Sequence, residues 1–201
     1  MNHLAHALLA APDEDLVFGS LIGDFVRGAV DRALPAGVRD GVALHRAVDA
    51  YTDAHAVVAA ARALFAAPYR RYAGVLLDVW FDHLLARAWP RFGIGDLDDF
   101  SLGVRGLLER RADEVPARMR GFVAYMRAND LPAAYRDASM IGKVLDGISH
   151  RLSRENPVAS ALPVLQALED PLARAFDAFF PDLAAFAASA RISSPPTKTP
   201  P

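Results

Sequence analysis

One stretch decides the fold of this chain: Val75-Leu76-Leu77-Asp78-Val79-Trp80-Phe81-Asp82-His83-Leu84-Leu85-Ala86-Arg87-Ala88-Trp89. It is long, mostly apolar and without the alternation typical of a half-buried strand, so it predicts a buried helix. Asp78 and Asp82 are one helical turn apart and share a face, with His83 beside them. Because a buried carboxylate must be paired, hydrogen-bonded or bound to a metal, the stretch predicts an all-α core with a polar site inside it.

The rest of the sequence has the same helical character. Ala, Leu, Arg and Val dominate, and proline and glycine separate the periodic segments. This pattern predicts a single-domain helical bundle over residues 1–192. The proline-rich segment 193–201 is predicted to be a disordered tail. The predicted helices cover residues 2–10, 14–28 (opened by Asp13), 36–65 (after Pro35), 69–89, 98–113, 116–129, 131–150, 157–168 and 171–190.

Composition excludes several classes of protein. The 201 residues are 53% apolar and 23% charged, as in a globular domain. The formal net charge of −2 argues against a nucleic-acid binder, and no apolar stretch is long enough to span a membrane. Cysteine is absent, which excludes thiolate metal ligands and fits a cytoplasmic protein. The apolar N-terminus carries two histidines and no basic region, so we do not interpret it as a signal peptide. The oligomeric state stays open.

A second polar pattern lies on the predicted helix 36–65. His45, Asp49 and Asp53 recur every four residues and therefore share one face. A neutral imidazole suits a divalent transition metal, and a nearby carboxylate either binds the same metal or orients the imidazole. Asp53 fits a structural turn equally well. Basic residues are scarce on these faces, so a cation is the natural partner of the acids.

Other positions are weaker candidates from the residues alone. Asp24 ends an apolar segment with Arg27 close by, which fits a buried ion pair as well as it fits a site. His6 lies between two alanines, where a satisfied core histidine is the commoner outcome. His3, one turn earlier, has a weaker case still.

Histidine and aspartate contributed by several helices to one place are typical of a metal site in a bundle core. Imidazole mixed with carboxylate favours Mn²⁺, Mg²⁺ or iron over a structural zinc site. Such a metal activates water and stabilises charge on a phosphoryl oxygen. Because no Gly-x-Ser-x-Gly motif and no Gly-x-x-x-x-Gly-Lys loop is present, the residues point to a metal-dependent hydrolase.

Four segments, in this order and spacing, resemble the bacterial acyl carrier protein phosphodiesterases. A weaker likeness continues through Tyr135-Arg136-Asp137 and residues 144–151, so the resemblance extends to about residue 190. Together the four segments are specific, although each alone would be weak. They are Asn2–His6, Gly19–Gly28, Gly41–Asp53 and Leu77–Leu85.

The resemblance implies an all-helical, HD-domain-like phosphohydrolase. It implies hydrolysis of the phosphodiester that joins 4′-phosphopantetheine to a serine of holo-acyl carrier protein, with the acidic carrier protein as substrate. It also implies a divalent cation, preferably Mn²⁺, with Mg²⁺, iron or cobalt as alternatives. Carried over by motif, the metal ligands would be His6, Asp24, His45, Asp78, Asp82 and His83. The catalytic residues would be Asp24, Asp49, Asp82 and His83.

Arginines are the candidates for binding phosphate, because the chain has only two lysines. Arg27 and Arg46 each lie within a turn of a site acid, and Arg151 lies in the weaker C-terminal likeness. Two larger groups would steer an acidic partner from outside the site. One consists of Arg70, Arg71, Arg87 and Arg91, and the other of Arg105, Arg110, Arg111, Arg118 and Arg120.

Two other functions stay open at this point. The first is an HD-type metal-dependent phosphohydrolase that acts on a nucleotide or a small phosphodiester without any carrier protein. The second is a non-catalytic helical binding module whose acids form salt bridges. A di-iron bundle is disfavoured because its Glu-x-x-His pairs are missing.

Overall fold

Eleven α-helices form the framework of residues 2–192, the range that the computed structural model describes, and no strand occurs in that range. The prediction of an all-α fold is confirmed, whereas the HD-domain-like arrangement stays a prediction. The predicted tail at 193–201 lies outside the described residues. The helices are α1 (His3–Ala10), α2 (Glu14–Ile22), α3 (Ala36–Ala54), α4 (Ala56–Ala63), α5 (Ala73–Arg87), α6 (Trp89–Phe92), α7 (Leu97–Arg110), α8 (Arg120–Ala128), α9 (Ala138–Arg151), α10 (Leu162–Ala167) and α11 (Glu169–Ile192).

Helix α5, formed by the quoted stretch, is central to the core. It contacts α1, α4, α9 and α11, and Leu76, Trp80, Phe81 and Leu85 are almost completely buried on it. Each such side chain contributes about 1.5–3 kcal/mol by leaving water, as an upper estimate. Because α5 is buried on several sides, its acid Asp82 is completely enclosed by protein.

Helices α2 and α3 cross at two glycines. A Cβ atom on Gly19 would lie 2.1 Å from the carbonyl oxygen of Val38, and one on Gly41 would lie 2.4 Å from that of Leu16. Both separations are shorter than any normal contact with backbone, so the crossing requires glycine on each helix. It brings His45 and Asp49, further along α3, beside the residues that follow α2.

The helices predicted over 14–28 and 36–65 are interrupted before their predicted ends, and those predicted over 98–113 and 116–129 are a few residues shorter, at Leu97–Arg110 and Arg120–Ala128. The one predicted over 14–28 begins after Asp13, whose side chain accepts from the Leu16 N–H (3.0 Å), but it ends at Ile22 and continues only as a 3₁₀ turn over Gly23–Phe25. The one predicted over 36–65 breaks at His55. The extended backbone of that residue ends α3, and its Nδ1 accepts from the Val57 N–H at the start of α4 (3.3 Å).

Three other predicted helices share a different departure. Each starts with a 3₁₀ turn directly after a proline, and the α-helix begins only beyond that turn. The turns are Tyr69–Tyr72, Ala133–Arg136 and Val158–Ser160, which follow Pro68, Pro132 and Pro157. Within the described range, no helix is both long enough and apolar enough to cross a membrane.

Candidate active site

His6 of α1 meets His45 and Asp49 of α3 in a compact cluster. His6 Nε2 lies 3.1 Å from Asp49 Oδ1, and His45 Nε2 lies 3.2 Å from Asp49 Oδ2. The two imidazole rings stack with their centroids 3.9 Å apart. One ligand-type atom from each of the three residues lies within 4.8 Å of the others. The helical spacing that placed His45 and Asp49 on one face thus brings them together, and α1 adds His6.

Asp24 approaches the same cluster from the 3₁₀ turn after α2. Its Oδ1 lies 3.2 Å from His45 Nε2. The preceding residue must be glycine, because a Cβ atom on Gly23 would lie 2.3 Å from Cγ of His45. The side chain of His45 is 6% exposed, whereas those of Asp24 and Asp49 are 64% and 39% exposed. The two carboxylates are therefore accessible to an incoming ligand, whereas the imidazole of His45 is buried.

The charges of the cluster are set by burial and by hydrogen bonds. Burial disfavours the protonated ring of His45, but its bonds to Asp24 and Asp49 outweigh burial and raise its pKa to about 9. Burial lowers the pKa of His6 to about 4. The hydrogen bond from His45 lowers the pKa of Asp24, and the bonds from His45 and His6 lower that of Asp49 against the effect of burial. The acids thus surround a point that favours positive charge.

These residues fit a divalent cation. Nδ1 of His6 and Nδ1 of His45 are buried, and neither has a hydrogen-bond partner among the described residues. A buried polar nitrogen without a partner is costly and needs an explanation, of which a bound ion or water is one. Imidazole nitrogen together with carboxylate oxygen is a donor set that transition metals accept.

A cavity of about 320 Å³ adjoins the cluster. Asp24 and His3 line this cavity, and they also line a narrow space that reaches His6 and His45. Asp78 of α5 and Arg151 at the end of α9 lie on the cavity wall. Burial raises the pKa of Asp78. The cavity therefore brings together three further candidate residues, Asp24, Asp78 and Arg151.

Asp82 and His83 lie elsewhere, although both were candidate ligands. Asp82 is completely buried and accepts from the N–H groups of Leu4 (2.7 Å) and Ala5 (3.2 Å) at the start of α1. The His83 Nδ1–H donates to the carbonyl oxygen of Tyr135 (2.7 Å). The structure brings neither of them into the cluster or onto the cavity wall. Instead they fix the position of α1 and of the turn at Tyr135.

Replacing Asp82 by Ala is expected to lower the free energy of unfolding by about 2–5 kcal/mol. Two buried N–H groups would lose their acceptor, at about 1–3 kcal/mol each. Asp82→Asn retains one acceptor oxygen and should lose less. Urea denaturation measures both. Unchanged stability together with a large loss of Mn²⁺ affinity in Asp82→Asn would instead make Asp82 a metal ligand.

The three candidate substrate arginines occupy different positions. Arg46 donates from Nη2 to the carbonyl oxygen of Val26 (2.9 Å) and so holds the loop after Asp24. Arg27 is exposed, and no acid within the described range pairs with it. Arg151 lines the cavity and is the best placed of the three to contact a bound ligand.

Five of the nine arginines in the two larger groups form ion pairs with acids. Within residues 2–192, the members without an ion pair are exposed, so attraction of an acidic partner would depend on them. They are Arg70, Arg71, Arg118 and Arg120. The paired members are Arg87 with Glu169, Arg91 with Asp177, Arg105 with Asp130, Arg110 with Glu14, and Arg111 with Asp15 and Glu114. Asp53, the third acid of the α3 pattern, pairs with Arg62 of α4.

Sequence reasoning gave little weight to His3 and did not consider Asn2 or Tyr135 as parts of the site. Asn2 Nδ2 donates to the Tyr135 hydroxyl (3.5 Å), and the His3 ring lies 4.3 Å from that of Phe122. All four residues line the cavity. The spacing of His3 and His6, one helical turn apart, was the available signal for His3.

Fold and site together define a helical bundle whose core holds imidazole and carboxylate groups beside a cavity. A sequence family described as acyl carrier protein phosphodiesterase matches residues 1–183. The chain therefore belongs to the acyl carrier protein phosphodiesterase family.

Relatives of that name cover nearly the whole chain. The protein from Yersinia pestis is 33% identical over 184 residues, which are 91% of this chain and 95% of the relative. That from Yersinia enterocolitica is 32% identical over 182 residues, 90% and 94% of the two chains. One from Escherichia coli is 33% identical over 186 residues, 92% and 96% of the two chains. No solved structure matches the chain.

Proposed function

We propose that this protein hydrolyses the phosphodiester that joins 4′-phosphopantetheine to a serine of holo-acyl carrier protein. The products are apo-acyl carrier protein and 4′-phosphopantetheine. The observation that carries the proposal is the cluster of His6, His45 and Asp49 with Asp24 on the adjoining cavity. The relatives named acyl carrier protein phosphodiesterase support the choice of substrate. We place the reaction in the cytoplasm as part of the same proposal.

His6, His45 and Asp49 would hold a divalent cation, with Asp24 beside them. We propose Mn²⁺, with Mg²⁺, iron or cobalt as alternatives, because the donor set mixes imidazole with carboxylate. When bound, the cation would act as a Lewis acid toward the phosphoryl group and lower the pKa of water.

Asp24 is the carboxylate best placed to accept the proton of the attacking water. Asp49 already receives hydrogen bonds from two imidazoles, and Asp82 receives two from backbone N–H groups. Asp24 receives one, from His45, and its side chain is open to the cavity. The proton that leaves the water balances the one that the serine oxygen gains as it departs. Arg151 would neutralise the non-bridging oxygens of the phosphate.

Intact-mass spectrometry of Escherichia coli holo-acyl carrier protein tests the proposal. We expect loss of the phosphopantetheine mass with wild-type protein and Mn²⁺, no loss with EDTA, and a strongly reduced rate with Asp24→Asn. Unchanged mass, together with Mn²⁺-dependent hydrolysis of bis(p-nitrophenyl) phosphate, would contradict the choice of substrate. It would favour the HD-type phosphohydrolase of small phosphodiesters.

A further inference from the structure

The cavity beside the cluster has an apolar surface that chemistry at phosphorus does not require. We call this surface the apolar wall; it consists of Val75 and Val79 of α5, Phe122 of α8, Val144 and Ile148 of α9, and Leu152 just beyond α9. A site for inorganic phosphate alone would need only charged and hydrogen-bonding groups. The apolar wall therefore indicates that the ligand has an apolar part.

Helical spacing connects the apolar wall to the charged groups. Val144, Ile148 and Arg151 follow one another at intervals of four and three residues, so they share one face of α9. Val75, Asp78 and Val79 share a face of α5 in the same way. Each face presents both a charge and apolar side chains to the same cavity, as a ligand with a charged end and an apolar chain requires.

A buried hydroxyl adds a hydrogen-bonding group to this cavity. Tyr135 is 1% exposed, and its hydroxyl oxygen accepts from Asn2 Nδ2. The hydroxyl hydrogen has no acceptor among the described residues. A ligand that carries amide carbonyl groups would supply one.

We propose that the apolar wall holds the pantetheine arm of the substrate, with its phosphate beside Asp24. This inference rests on the proposed function and adds a place for the part of the substrate that does not react. The arm is a flexible chain with methyl and methylene groups and two amides, which matches an apolar wall with few polar groups. A volume of about 320 Å³ lies at the lower end of the roughly 300–1,000 Å³ typical of small-molecule sites. Binding energy from such a remote part of a substrate is available to accelerate the reaction.

Calorimetric titration with 4′-phosphopantetheine and with inorganic phosphate, both in the presence of Mn²⁺, tests the proposal. Ile148→Trp fills the cavity from α9, where the native side chain is only partly buried. Ala124→Trp is the matched control, because Ala124 is exposed and lines a separate groove of about 670 Å³ between α7 and α8. Val144→Phe is the second cavity-filling variant if Ile148→Trp does not fold.

Wild-type protein and Ala124→Trp are expected to bind 4′-phosphopantetheine about tenfold or more tightly than phosphate. The cavity-filling variant should lose this preference while its affinity for phosphate is unchanged. Equal affinity for both ligands in the wild type, or a preference that survives filling, would overturn the inference. A wild-type protein that leaves the mass of holo-acyl carrier protein unchanged would instead refute the proposed function, so the two failures are distinguishable.

Discussion

Replacing His45 by Ala is expected to lower kcat/KM for holo-acyl carrier protein by about a thousandfold or more. The ring of His45 contacts both Asp24 and Asp49 and stacks on His6, so its loss would remove one of the proposed ligands and release the carboxylates that it orients. A bound cation contributes several kcal/mol to transition-state stabilisation, and each 1.36 kcal/mol changes the rate about tenfold. The rate of mass loss from the carrier protein measures the effect.

His150→Ala is the control for this experiment. His150 is exposed near the end of α9, where its Nδ1 bonds to the carbonyl oxygen of Asp146 within the same helix. We expect its activity to stay within about twofold of the wild type, as for a surface substitution away from the site. Similar activity in the two variants, with both folded by circular dichroism, would remove the cluster from the mechanism.

Replacing Gly41 by Ala is expected to lower the free energy of unfolding by about 1–3 kcal/mol or more. The added Cβ atom would lie 2.4 Å from the carbonyl oxygen of Leu16 and 2.8 Å from Cα of Gly19. Both are backbone atoms, so the helices must separate to make room. Because His45 lies one turn further along α3, we expect activity to fall as well. Urea denaturation measures the first effect.

Gly103→Ala is the matched control: it adds the same methyl group but is expected to stabilise the protein. Gly103 lies in α7, is exposed, and has no other atom within 4 Å of an added Cβ. Alanine is the better helix former there, so we expect the free energy of unfolding to rise by about 0.5–1 kcal/mol. Equal effects of the two substitutions would show that the α2–α3 crossing tolerates a methyl group.

Periodicity predicted the all-α fold and the contact between two residues of the candidate site, His45 and Asp49, because both depend on residues within one helix. The apolar stretch Val75–Trp89 forms most of the central helix α5, which ends at Arg87, and the spacing of His45 and Asp49 brings their side chains into contact. Periodicity specifies which residues share a face of a helix. It therefore predicts a contact when both residues lie on the same helix.

Periodicity did not specify which element meets each face. Asp78 and Asp82 share a face of α5, yet one lines the cavity and the other accepts from the first turn of α1. The partner of His83 is a carbonyl 52 residues away, at Tyr135. The break at His55 depends on a side chain that caps the next helix, which the apolar pattern does not record. The contacts of Asp82 and His83 join distant segments, whereas the cap at His55 is local but depends on the conformation of a single residue.

Titration of the protein with Mn²⁺, followed by electron paramagnetic resonance of the free ion, tests the central claim most directly. The claim is that His6, His45 and Asp49 hold the cation. We expect Mn²⁺ to bind wild-type protein and His150→Ala with the same affinity, and to bind His6→Ala and Asp49→Ala about a hundredfold or more weakly. Equal affinity in all four proteins would contradict the claim and place the cation elsewhere.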